Sequence, residues 1–249
     1  MSTPAAAAEQ VPALSQVERV VDTFVAPSKT FTDIRRSASW WLPWLLSAII
    51  GGAMVYIVDK KVGMEKVVEN QLQLSPKQAA RLDQLSPDQR AAQIELQAKI
   101  TRNFSYGFSL VTLIILAVMA GVLLATFKFG FGADNLTFWQ AFAISNYAWL
   151  PGCIKALLVI LTLSISGGEN FTFQNPLASN LGGLFDPNSS HFLYSVASSI
   201  DVFNLWILVL TGIGYSCVTR LKRGTCMGVV FGWWAVVTLG GAAIGSLFS

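Results

Sequence analysis

Five apolar runs, at about 40–58, 106–127, 138–164, 200–218 and 227–248, leave this chain few ways to fold. Each is close to the roughly 20 residues that a helix needs to cross a hydrocarbon core of about 30 Å. Inside lipid no water pairs with backbone N–H and C=O groups. Each run must therefore satisfy them within itself, as a helix does. The charges respect the runs. Of 17 Lys and Arg and 14 Asp and Glu, only Lys155 and Asp201 fall inside them, and Asp201 stands at the mouth of its run. The fold class that follows is all-α: a polytopic membrane protein with five transmembrane helices, an N-terminal amphipathic helix and an extramembrane helical hairpin.

Composition narrows the function. Charged residues make up 12% of the chain, about half the share usual in soluble domains. A net charge of +3 is too small to suggest nucleic acid as a partner. Cys153, Cys217 and Cys226 form no C-x-x-C pair, so neither a zinc site nor a disulfide framework is indicated. The opening MSTPAAAAEQVPALS has no basic start and no apolar core. It does not read as a signal peptide, and the first span serves as the insertion signal.

Basic residues orient the spans. Arg35 and Arg36 precede the first span, and Arg220, Lys222 and Arg223 follow the fourth, whereas 165–199 has no Lys or Arg. These facts place the N-terminus in the cytoplasm and the C-terminus outside. The loop 59–105 then lies outside despite eight basic residues, which six acids accompany. Its length approaches the range in which loop charge stops counting.

Residues 1–14 lack periodicity and read as a disordered tail ahead of one membrane domain over 15–248. Ser15 and Glu18 form a capping box that opens a helix. Val17, Val20, Val21 and Phe24 follow at helical spacing as one apolar stripe, and Pro27 stops the helix. Ser28 is placed to cap a short turn holding Phe31 and Ile34. Three roles stay open for 15–36: packing on the bundle, lying in the lipid surface with Arg35 and Arg36 at the headgroups, or docking a partner. In the first loop LSPKQ at 74–78 recurs as LSPDQ at 85–89. Ser as N-cap and Pro at the first helical position predict helices over about 76–84 and from about 87. The second helix has no breaker before Gly107 and is expected to continue into the second span. Asn135 or Thr137 caps the third span.

The third span, FWQAFAISNYAWLPGCIKALLVILTLSIS, carries the most information. Pro151 and Gly152 predict a kink or break at its middle. Asn146 and Tyr147 lie about a turn before it and Lys155 a turn after. An ionisable residue in a span is a functional candidate by default. Snorkelling or pairing with Asp201 would make Lys155 structural. Asn146, Tyr147, Pro151, Lys155 and Asp201 are therefore the candidate intramembrane polar site. The loop 165–199 is rich in turn formers yet holds Leu181, Leu184, Phe185, Phe192 and Leu193, which fit folding back on the bundle or into the interface. It also contains sequons at Asn170 and Asn188 and the single histidine, His191, which reads as a surface residue. In the last run Gly224, Gly228, Gly232 and Gly240 share a face, and Gly241 and Gly245 form a second G-x-x-x-G. Small residues at this spacing let helices approach closely in lipid, within the bundle or between copies of a homo-oligomer.

One histidine excludes H-E-x-x-H and multi-histidine metal sites. No G-x-S-x-G elbow and no G-x-x-x-x-G-K-[ST] loop occur. Neither a catalytic constellation nor a cofactor or metal site is expected, and inverted repeats are not evident.

Three stretches carry a family resemblance. VVDTFVAPSKTFTDIRRSASWWLPWLL, ISNYAWLPGCI and IDVFNLWILVLTGIGYS stand in order. They are, respectively, similar to the Phe–Pro–Phe opening and aromatic first span, the polar-aromatic-Pro segment of the third span and the Asp-aromatic-Trp start of the fourth in the Yip domain family. The resemblance covers about 17–248, and the loop pattern looks like the bacterial branch, which implies five spans, a cytoplasmic N-terminus and a bacterial inner membrane. The D-L-Y-G-P motif of eukaryotic members is missing, so their role with Rab GTPases is not implied. The resemblance brings no catalytic residues. Two readings of function follow. The first is a non-enzymatic scaffold or adaptor that binds membrane or cytoplasmic protein partners in the lipid bilayer. The second is a channel or carrier for a small solute or lipid, built on the broken third span.

Overall fold

The computed structural model describes residues 13–185 and 190–248. Most of the tail expected over 1–14, and the sequon at Asn188, lie outside the described residues. The elements are helical throughout, and an isolated bridge between Asn180 and Asp201 is the one β contact among the described residues. Among the described residues five helices are long and apolar enough to cross a membrane: Trp41–Lys61, Pro87–Gly130, Phe138–Ser166, Val202–Thr219 and Arg223–Ser246.

The chain enters through a helical hairpin. Helix α1 (Gln16–Val25) starts at the capping box expected of Ser15 and Glu18, with both reciprocal bonds made. Helix α2 (Pro27–Asp33) begins at Pro27 itself, and Ala26 stands at its N-cap without a side-chain bond. Ser28 is thus not the cap that the sequence suggests, and its hydroxyl instead accepts a bond of 2.8 Å from Arg223. Proline fits here because its missing N–H is one that the first turn leaves unpaired anyway. Phe31 and Ile34 are fully buried in the bundle.

Helix α3 (Trp41–Lys61) is the first span. The first loop then holds α4 (Met64–Gln73) and α5 (Pro76–Leu82) before α6 (Pro87–Ala125). The two Ser-Pro signals land at α5 and α6, and α6 continues unbroken into the second span. Ser86 makes the full capping box with Gln89, whereas Ser75 makes no side-chain cap bond. α4, which has no Ser-Pro signal, was not expected. A π-helical turn, Thr126–Gly130, closes the second span. The third span divides as expected into α7 (Phe138–Ala148) and α8 (Pro151–Ser166). Thr137 caps it with Gln140, and Asn135 donates to the Val218 carbonyl instead. The 165–199 connection folds back on the bundle through a 3-10 turn (Leu181–Leu184) and α9 (His191–Ser199). Helices α10 (Val202–Thr219) and α11 (Arg223–Phe248) complete the bundle.

Two apolar cores result. The larger one joins α2, α6, α7, α10 and α11 around Phe31, Phe127, Ile144, Tyr147 and Tyr215. One close approach within it is at Gly214, where a β-carbon would meet Ile144 at 2.5 Å and Phe31 at 3.1 Å. The second core caps the other end. Val67 and Leu72 of α4, Leu82 of α5 and Ile94 of α6 pack there with Val58, Val159 and Phe171. Asn70 fastens this cap by donating to the Glu169 and Phe171 carbonyls at 2.8 and 3.0 Å. The first and third connections between spans are thereby one packed layer.

Candidate intramembrane site

Pro151 explains the break in the third span. It supplies no N–H, so α7 ends at Ala148, and the chain turns through Trp149 and Leu150 before α8 restarts. Lys155 is carried on the first turns of α8, about 16 Å along the axis from its end at Ser166. Asp201 sits at the N-cap of α10 and is fully buried. The two meet: Lys155 Nζ lies 3.0 Å from Asp201 Oδ2. Oδ2 also accepts from the Ser179 hydroxyl, and Oδ1 accepts the N–H groups of Phe203 and Asn204 at 2.9 and 3.2 Å. One carboxylate therefore caps α10, holds Lys155 and ties the 165–199 connection to both spans. The Val202 N–H bond to the Ser179 carbonyl, 3.1 Å, reinforces that tie. The positive end of the α10 helix dipole favours the anion at this position.

The other candidates lie elsewhere. Asn146 is buried, and its amide nitrogen donates to the Phe142 carbonyl at 2.8 Å. The Tyr147 hydroxyl donates to Gln16 Oε1 of α1 at 3.0 Å. Tyr147 thus faces the entering hairpin and Asn146 bonds within its own helix, while Lys155 and Asn204 line a cavity of about 350 Å³ between α3, α6, α8 and α10. The polar residues read from the third span thus serve two separate environments. His191 packs its ring against α11, within 3.5 Å of a β-carbon placed at Gly245. The remaining glycines of the row, Gly224, Gly228, Gly232, Gly240 and Gly241, have nothing within 4 Å of such a carbon. The close intramolecular approaches fall instead at Gly212 against Met227 and at Gly214.

A second buried polar group escaped the sequence reading. Arg19 of α1 is completely buried. Its guanidinium bonds Asp33 at 2.6 and 2.7 Å and donates to the Ser37 carbonyl at 2.9 Å. Its own carbonyl accepts the Thr23 and Thr30 hydroxyls at 2.7 and 2.9 Å. Burial would raise the Asp33 carboxyl, but hydrogen bonds from Arg36 and Arg19 outweigh it and hold the group below its ordinary value. Apolar periodicity cannot reveal Arg19, because it lies on the face opposite Val17, Val21 and Val25 in a segment where charge is ordinary.

The class is now defined: an integral membrane protein of five spans with a clamped N-terminal hairpin and a packed helical cap, in a lipid bilayer. The chain belongs to the Yip1 domain family, whose family model matches residues 21–244. No curated protein and no solved structure gives a match.

Proposed function

We propose that the protein is a non-catalytic scaffold of a bacterial inner membrane, with its N-terminus in the cytoplasm, that docks a partner protein on α1. The observation that carries this reading is the outer face of α1. Val17, Val21 and Val25 recur every fourth residue and are 67%, 54% and 73% exposed. Val20 and Phe24 of the same helix turn inward, and Phe24 meets Trp206 edge-on at 5.7 Å. The Arg19–Asp33 clamp fixes α1 against the bundle, so the valine row is presented rigidly and loses little entropy on binding. Arg35 and Arg36, at the end of the hairpin, are exposed.

A photocrosslinking residue at position 21, in the native membrane, tests the docking. A protein adduct of fixed mass is expected, and Val17→Ser with Val25→Ser should remove it. Adducts to lipid alone would make α1 a lipid-surface helix and end the adaptor reading. The cavity beside Lys155 favours a second reading, the handling of a small solute or lipid by the broken third span.

A further inference from the structure

Two cavities abut beside the broken span. The first, of about 350 Å³, includes polar groups on its wall: Ser47, Ser109, Lys155, Gln174 and Asn204. The second, of about 530 Å³, lies under the helical cap and is walled by Val67, Val68, Leu72, Ile100 and Phe104. Met54, Val55, Ser105, Phe108 and Phe173 line both. Each volume falls in the range of small-molecule sites, about 300–1,000 Å³. The space exists because α3 carries glycines where it faces α6 and α8. Gly51 and Gly52 both line the first cavity, and a β-carbon on either would meet nothing within 4 Å. Wall residues Ile100, Phe104 and Phe108 are themselves exposed, so the space opens at the protein surface.

Charge sets the polarity of this space. Among the described residues Lys155 is the one charged side chain on either wall. Its partner Asp201 contributes nothing to the cavity, being fully buried with both oxygens engaged. An ammonium has three protons to donate, and Asp201 is the one hydrogen-bond acceptor it reaches among the described residues. The Lys155 side chain remains 22% exposed. A cationic donor therefore stands on the wall of a largely apolar hollow lined by membrane-crossing helices and by the helical cap.

We propose that this space is a binding site for one acyl chain of an anionic amphiphile, with the carboxylate or phosphate at Lys155 and the chain against the shared wall and the second cavity. The site deepens the solute-or-lipid reading by naming its ligand, and it lies apart from the valine row of α1. The apolar lining favours hydrocarbon, the ammonium selects an anionic head, and the surrounding bilayer supplies such molecules.

The test uses the full chain in phosphatidylcholine vesicles with a trace of one photoactivatable probe: palmitate, phosphatidylglycerol or phosphatidylcholine, each with the reactive group on the chain. The anionic probes are expected to label peptides from 67–72 and 100–108. Gly52→Leu, which adds a side chain at a position where a β-carbon meets nothing within 4 Å, should reduce that labelling about tenfold, as should Lys155→Met. Labelling by palmitate alone would identify a free fatty acid as the ligand, and labelling by phosphatidylglycerol alone a membrane phospholipid. Equal labelling of the parent and Gly52→Leu would overturn the site. Phosphatidylcholine labelling these peptides as strongly as the anionic probes would do the same.

Discussion

Arg19 is fully buried yet charged, and it is tolerable only because its donors are used. An unpaired ion in such a place costs several kcal/mol, and breaking a buried pair costs about 3–5 kcal/mol. The Arg19–Asp33 clamp carries a definite pH dependence. The folded-state value of Asp33 is depressed by Arg36 and Arg19 against the opposing effect of burial. Its stabilisation is therefore complete above the unfolded carboxyl value, near 3.8, and is lost as pH falls through the lower folded value. Hydrogen exchange in α1 and α2 should accelerate across that acid window while α10 stays protected, and Asp33→Asn should abolish the acid step. Exchange in α1 that does not change with acid would mean that the clamp does not hold the hairpin. Lys155 and Asp201 form a second such pair. They were visible in the sequence because charge inside an apolar run stands out. Arg19 was not, since charge near a chain terminus is unremarkable.

At the level of elements, local chemistry placed most boundaries. Ser15 with Glu18, Ser86 with Gln89 and Thr137 with Gln140 are all complete capping boxes. Pro151 divides the third span at the expected turn. Helix seams were less legible. A G-x-x-x-G row signals that a close approach is allowed, not that a neighbour is present. Gly228 faces open space, whereas Gly214 holds Phe31 of α2 against Ile144 of α7. Gly214→Leu should therefore destabilise the detergent-solubilised protein by about 1–3 kcal/mol through overpacking. Gly228→Leu should stay within about 0.5 kcal/mol. Thermal unfolding of the two variants side by side checks this, and equal losses would contradict the assignment of the seam. An unchanged monomer with altered oligomer mass in Gly228→Leu would show that the open row is used between copies.

For the whole molecule, the decisive fact is that the two extramembrane loops are one layer. The 59–105 loop and the 165–199 loop share a core through Val67, Leu72 and Phe171, and Gln71 donates to Gln174 across them at 2.8 Å. They must therefore lie on the same side of the bilayer, which five spans in series require of the first and third connections. The distribution of basic residues predicts that this side is the outside. A reporter that is active only in the cytoplasm should be silent when fused after Ser249 and when inserted between α4 and α5. Activity at either point would invert the molecule.

Sequence alone determined that the chain is helical, crosses a membrane five times and breaks its third span, because lipid forces each apolar run to satisfy its own backbone and proline removes a donor at a known place. These are local constraints that act along a single segment. Tertiary structure alone decided that Lys155 meets Asp201, that Arg19 clamps the entering hairpin, that Gly214 rather than Gly228 is a seam, and that Gly51 and Gly52 leave a hollow. Each of these depends on which helix faces which. Between apolar helices in lipid, that choice rests on shape and a few polar contacts, and the order of residues along one chain does not display it.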